Sequence, residues 1–334
     1  MLKKKVKRDR LIGLVSRFPK VRALVVGDII LDQYIWGKAS RLSPEAPVPI
    51  VWADRQEYLL GGSSNVAHNI VALGAGVGVC GVIGKDPYGQ EIASLLKKRR
   101  ISSDLVITDD KRPTTLKTRI IAQHQQVVRV DWESSQALSG QVNKKVVSYI
   151  KNNLSKFDLV IIEDYGKGVI NPVLLRELVG ICRKNKKIIT VDPKEDHFDY
   201  YRQVTALTPN LKEAEYASGM SVRKDKDLDK VASIILKRLQ PEALLITLGD
   251  KGMKLFLNNN KSFHLPVSSQ EVFDVSGAGD TVIAVFSLAK AAGASFMEAS
   301  YIANVAAGLV VSRLGVSVTN PKELKERLSS LSLR

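Results

Sequence analysis

Cysteine is nearly absent from this sequence: Cys80 and Cys182 are the only two in 334 residues, each in an apolar stretch. A scaffold held by disulfides is therefore excluded, and two buried thiols in a reducing compartment are expected. No run of 18 apolar residues occurs, so no transmembrane helix and no membrane partner are expected. The start is basic, but no apolar stretch with a small-residue cleavage site follows it, which favours a cytoplasmic protein. Histidine is scarce too. His68, His124, His197 and His264 lack metal-ligand spacing, which argues against a histidine-built metal site. The GxxxxGK[ST] loop of P-loop enzymes does not occur. Gly76–Gly81 does match GxGxxG, but it leads from a helical pattern into a strand, the reverse of the dinucleotide fingerprint.

What is present is ordinary globular material. A chain that is 45% hydrophobic and 25% charged can bury a large core without a metal or disulfide staple. The net charge of +16 raises the question of nucleic acid, but its distribution argues for none as a partner. Residues 1–22 hold nine bases against one acid, half of the whole excess. Residues 1–21 are therefore expected to form a basic, solvated, partly frayed arm ahead of a domain at 22–334.

Within that domain short apolar runs alternate with helical patterns. Strands are expected at Ala23–Leu31, Val77–Ile83, Leu159–Glu163, Lys187–Asp192, Ala243–Leu248 and Lys254–Leu257, with helices near 64–73, 88–99, 140–154, 172–185, 227–239, 278–291, 297–312 and 321–331. Several strands are continuously apolar, as a sheet covered on both faces requires. The alternation predicts an α/β fold, a three-layer α/β/α arrangement on a mainly parallel sheet. Two segments break the rhythm, about 33–60 and 112–132. They are expected to form a small β lid at the carboxyl ends of the strands, where ligands bind in such sheets.

The strongest motif is Asp274-Val-Ser-Gly-Ala-Gly-Asp280-Thr281 ahead of an apolar helix. Glycines let backbone approach a ligand, and free helix N–H groups favour an anion. Gly277, Ala278 and Gly279 could thus cradle a phosphoryl group, with Asp280 placed to accept a proton from an attacking hydroxyl. Read alone, the same residues fit a glycine-rich turn with a helix-stabilising Asp equally well. Thr247, Gly249 and Gly252 form a loop suited to a nucleotide. Asn210, Leu211, Lys212 and Glu213 open a helix, where Asn210 and Glu213 could reach Mg²⁺ through water or simply cap the helix. Gly61, Gly62 and Asn65 could meet sugar hydroxyls, as could Asp28 and Asp32 at the end of the first strand. Lys117 and Arg119 share one face of a strand, Arg129 joins them if the register allows, and Arg41 and Lys194 flank the same mouth. These cations could hold a phosphate, or form a solvated face balanced by Asp131 and Glu133.

Together these features resemble the ribokinase-like, or pfkB, family of carbohydrate kinases over about residues 22–322. The most specific pieces are GGSSNVAHNIVALGA at 61–75, GVIGKDPYG at 81–89 and DVSGAGDT at 274–281. The resemblance implies ATP and Mg²⁺ as cofactors, Asp280 as base, Gly277–Gly279 as anion hole, Asn210 and Glu213 at the metal and phosphate site, Asn304 at the nucleotide, and a homodimer. It also implies a potassium site, which Asp274 and Ser276 match only loosely. VVGDIILDQYIWGKASRLSPEAPVPIV, LKTRIIAQHQQVVRVDWE, EDYGKGV, VDPK and LTPNLKEAE further resemble bacterial kinases of D-glycero-β-D-manno-heptose 7-phosphate, implying a phosphosugar substrate. Such kinases are commonly joined to an adenylyltransferase. No His-x-Gly-His sequence occurs, so a separate adenylyltransferase is expected.

Overall fold

The computed structural model describes residues 7–123, 125–268, 275–313 and 317–330. The chain enters through helix α1 (Arg8–Val15) and strand β1 (Arg22–Gly27), then makes a long antiparallel pair, β2 (Ile29–Leu42) and β3 (Pro49–Gly62). Helix α2 (Ser63–Ala72), β4 (Gly76–Gly84), α3 (Pro87–Lys98) and β5 (Ser102–Asp109) follow, then the hairpin β6 (Thr115–Ala122) and β7 (Gln125–Trp132). The second half runs α4 (Gly140–Asn153), β8 (Leu159–Glu163), α5 (Pro172–Lys184), β9 (Ile188–Asp192), β10 (Ala206–Leu207), α6 (Leu211–Ser218), α7 (Asp225–Leu239) and β11 (Ala243–Thr247). It closes with β12 (Met253–Leu257), β13 (Ser262–Leu265), α8 (Ala278–Ala291), α9 (Phe296–Val311) and α10 (Pro321–Ser330).

Among the described residues, nine strands form one sheet in the order β13-β12-β11-β10-β9-β8-β1-β4-β5, with every neighbouring pair parallel except β11–β12 and β12–β13 at one edge. Alternate side chains of its strands enter two different cores. Ala23 and Val25 of β1 join Leu159 and Ile161 of β8 on the side of α2, α8 and α9. Leu24, Val26, Val160 and Ile162 join the side of α4, α5 and α7. That double burial explains the continuously apolar strands. Local chemistry marks helix starts: Asp86, Asn171 and Ser295 each cap an N-terminus by accepting a backbone N–H.

A second, four-stranded sheet of order β3-β2-β6-β7 is the expected lid. Its strands β2 and β3 pair continuously apart from two bulges. The N-terminal reading needs a larger correction. Residues 8–20 are not a frayed arm: Leu11, Leu14, Val15 and Phe18 are fully buried in the core beside α10, and Arg10 pairs with Glu298 of α9 at 2.5 Å. An i, i+3, i+4, i+7 apolar stripe outweighs the surrounding charge. No helix among the described residues is long and apolar enough to cross a membrane.

Candidate functional site

Asp280 lies in the first turn of α8, at the carboxyl ends of β8 and β9 and under the lid. The N-cap residue Gly277 has φ +76°, a left-handed conformation that glycine adopts without a Cβ penalty. Asp280 is almost fully buried, and both its oxygens are used: Tyr165 Oη donates to Oδ1 at 2.8 Å and Asn65 Nδ2 to Oδ2 at 2.5 Å. Burial pushes its pKa up to about 6, the two donors pull it down, and Asp32 adds a smaller upward push. A carboxylate poised there is ionised at neutral pH yet basic enough to take a hydroxyl proton. The anion cradle is partly engaged, since the Ala278 N–H donates to Val275 O at 3.2 Å. Asp274 lies outside the described residues, and Ser276 lies one residue ahead of Gly277, in the turn before α8.

Two further carboxylates converge on Asp280. Glu163 ends β8, Asp192 ends β9, and one oxygen from each of the three lies within 4.8 Å of the others. Glu163 is fully buried, and neither of its oxygens has a hydrogen-bond partner. Burial, then Asp192 and Asp280, raise its pKa well above the carboxylate range. Asp192 is raised by burial and by Glu213, and among the described residues its carboxylate accepts from Thr208 Oγ1 at 3.2 Å. An oxygen-only set crowded by like charge, with Glu163 left unpartnered, fits a hard divalent cation such as Mg²⁺.

The Asn210–Glu213 pair is in fact a capping box: Glu213 N–H donates to Asn210 Oδ1 at 3.0 Å, and Asn210 N–H to Glu213 Oε2 at 2.8 Å. The capping reading therefore holds. Glu213 still belongs to the site electrostatically, because burial pushes it up to about 7 and it in turn raises Asp192. Asn210 pairs as an isolated bridge with Thr247, which brings the helix start beside the Thr247–Gly252 loop. Lys212 is exposed, whereas Leu211 packs on the core, so Leu211 offers only backbone to a ligand. Gly249 and Gly252 both have positive φ. Asn304 spends its amide on Pro266 O at 2.7 Å, so it braces the exit of β13.

On the lid side, Asp32 pairs with Arg119, and a Cβ on Gly61 would sit 2.3 Å from Asp32 Oδ2. A side chain at Gly61 would therefore push the Asp32 carboxylate out of its present position. Gly62, with φ +55°, turns β3 into α2 and delivers Asn65 to Asp280. Asp28 has a different task from the one expected. Its oxygens accept the N–H groups of Tyr165 (2.9 Å), Lys167 (3.0 Å) and Val169 (3.1 Å), so it shapes the loop that presents Tyr165 instead of meeting a sugar. The β6–β7 register does place Arg119 opposite Arg129 and Lys117 opposite Asp131, so all four share a face. Lys117 is held by Asp131 and Glu133, both at 3.1 Å, and Arg129 by Asp131 at 3.0 Å. For these two the balanced-face reading holds here. Lys194 pairs with Glu195 and packs over Gly166. Arg41 lies nine residues beyond Asp32 on β2, about 30 Å along an extended strand, and is not brought to Asp280 in this chain.

Glu163, Tyr165 and Asp192 are brought together with Asp280, although sequence reasoning gave them no role. The available signal was positional: Glu163 and Asp192 each close an apolar strand at the end where such sheets bind ligands. Asp164 adds support by accepting from Tyr201 Oη and His197 Nδ1, both at 2.6 Å, which ties the segment after β9 to the Tyr165 loop.

Comparison with known proteins places these features. Residues 21–323 match the pfkB family of carbohydrate kinases. The chain is 42% identical over 322 residues to the bifunctional protein HldE of Geotalea uraniireducens and 41% identical over 319 residues to that of Geobacter sulfurreducens, covering 96% of this chain in both cases. It spans 65% of the length of each of those relatives. The fold is that of ribokinase from Arabidopsis thaliana (TM-score 0.74, 21% identity, 93% of this chain and 99% of that one) and of phosphofructokinase-2 from Escherichia coli (TM-score 0.75, 17% identity, 93% and 99%).

Proposed function

The chain belongs to the pfkB family of carbohydrate kinases, and we propose that it transfers the γ-phosphoryl group of ATP to the anomeric hydroxyl of D-glycero-β-D-manno-heptose 7-phosphate in the cytoplasm, giving the 1,7-bisphosphate. The observation that carries the reaction type is Asp280, buried at a helix N-terminus with Tyr165 and Asn65 fixing both its oxygens. The identity of about 40% to HldE proteins, together with the lid and strand-end motifs, supports the heptose acceptor.

In this reading Asp280 accepts the hydroxyl proton as the sugar oxygen attacks. The N-terminus of α8 faces the charge that develops on the transferred group, a stabilisation that dominates phosphoryl transfer. Glu163 and Asp192, backed by Glu213, would hold Mg²⁺, which when bound supplies positive charge against the phosphate oxygens. The lid excludes water, and Arg119, placed between Asp32 and Tyr34, is the cation best positioned to reach the acceptor's phosphate. We further propose a homodimer through the lid's outer face, where Val128, Val130 and Trp132 are 43%, 40% and 63% exposed on one side of β7.

One observation favours a second reading, in which the acceptor carries no phosphate: Lys117 is already neutralised by two carboxylates. ATP turnover on a sugar panel, with the phosphorylated position read by ³¹P NMR, separates the two. The heptose reading expects turnover of heptose 7-phosphate at C1. It also expects Arg119→Ala, and more weakly Lys117→Ala, to raise KM for that sugar while barely affecting unphosphorylated heptose. Equal loss on both sugars favours the second reading.

A further inference from the structure

At the opposite, amino-terminal edge of the sheet lies an open groove of about 410 Å³ that the kinase reaction does not use. It crosses the starts of β9, β10 and β11, beside Ile188, Thr205 and Glu242. The length of β9 separates it from Asp192, roughly 13 Å of extended strand.

Four cations line it, Arg183, Lys186, Lys187 and Lys290, against the single carboxylate of Glu242. Among the described residues none of the four makes an ion pair. Arg183 donates to the Gln203 side chain, which also lines the groove, Lys187 to Phe157 O and Lys290 to Ala294 O, with Lys290 also lying 3.9 Å over the Phe296 ring; all these partners are uncharged and leave the positive charges uncancelled. Arg183 and Lys290 sit in the last turns of α5 and α8, where a base complements the helix dipole. That explanation does not reach Lys186 and Lys187, which lie past the helix end. Lys186 also has φ +52°, at the position after a helix where glycine is the unstrained choice. A lysine there places an exposed charge on the rim at a conformational cost.

We propose that this groove is a second anion site, built for a small polyphosphate such as pyrophosphate, at the end of the strands opposite the kinase centre. The Arg183 fork and the Lys186 ammonium are the direct contacts for phosphate oxygens, and Lys187 and Lys290 add positive charge beside them. The lining contains no aromatic ring on which a nucleobase could stack, which selects the phosphate chain over a nucleotide.

The test is calorimetric titration of the full chain with inorganic pyrophosphate, with a non-hydrolysable ATP analogue saturating the kinase centre. One equivalent should bind, more weakly as salt rises. Lys186→Gly, which relieves the backbone, and Arg183→Gln should each weaken binding roughly tenfold, the loss expected for one charge-assisted contact. Glu242→Gln should tighten it severalfold. Absence of binding, indifference to these three substitutions, or an equal loss from the remote Lys151→Gln on α4 overturns the proposal.

Discussion

Replacing Tyr165 by Phe removes one hydroxyl and leaves the ring, so its consequence can be worked out closely. Tyr165 Oη donates to Asp280 Oδ1 at 2.8 Å, which stabilises the ionised carboxylate. Asp280 stands at about 6 because burial outweighs that donor and Asn65. Without the hydroxyl the ionised form loses support, so the pKa must rise. A hydrogen bond to a charged group is worth about 1.5–3 kcal/mol, and at 1.36 kcal/mol per unit the rise is about one unit, two at most. With Asp280 as base, kcat/KM falls as pH drops through its pKa, so the acid limb should move from near 6 toward about 7. At pH 6.5 a one-unit rise cuts the ionised fraction about threefold, and at pH 8 the two proteins should nearly coincide. The assay is ADP release from pH 5 to 9 at saturating magnesium. A sugar phosphate has its own ionisation near pH 6, but the substitution cannot move that one. An acid limb that stays in place, or moves to lower pH, refutes Asp280 as the base held by Tyr165.

Asp280→Asn should leave circular dichroism unchanged and lower turnover ~10²–10⁴-fold, the usual loss of a general base; a folded variant within threefold of wild type removes the assignment. Glu163→Gln replaces a buried carboxylate without donors by a neutral isostere, so the metal-free protein should melt higher while half-maximal activity needs more magnesium; an unchanged magnesium titration speaks against a metal role. Val130→Lys puts a charge on the lid's outer face and should turn a dimer into a monomer by light scattering, so a wild-type monomer sinks the lid interface. Leu14→Ala empties a fully buried position and should cost about 2–5 kcal/mol in urea melts, whereas a frayed arm would lose almost nothing.

Most of the fold was legible because its signals are local. The apolar runs at Leu159–Glu163 and Ala243–Thr247 need only their own composition to read as strands buried on both faces. Helix ends came within a residue or two because Asp86, Asn171 and Ser295 mark the starts chemically. The first helix was missed for a physical reason. Its charges at Arg8, Asp9 and Arg10 dominate any count, while Leu11, Leu14, Val15 and Phe18 carry the burial. There periodicity was the better guide than composition.

The site was legible where one segment contains the chemistry, as in Gly277–Asp280, and illegible where partners come from far along the chain. A carboxylate at the end of β1 can serve a sugar or the N–H groups of a neighbouring loop. Only the fold decides that Asp28 serves Tyr165, Lys167 and Val169. The same holds for Lys117, whose partners Asp131 and Glu133 are set by the register of β6 on β7. Glu163 pushes the point further. A buried carboxylate with no donor, beside two others, works against folding, and such an arrangement persists only where function selects it. Asp280 has its two donors and Asp192 its threonine, so each is tolerable alone. Glu163 has neither, and its charge is balanced only when a cation joins the three. Glu163 is therefore the residue through which the proposed divalent cation would be most directly tied to the site.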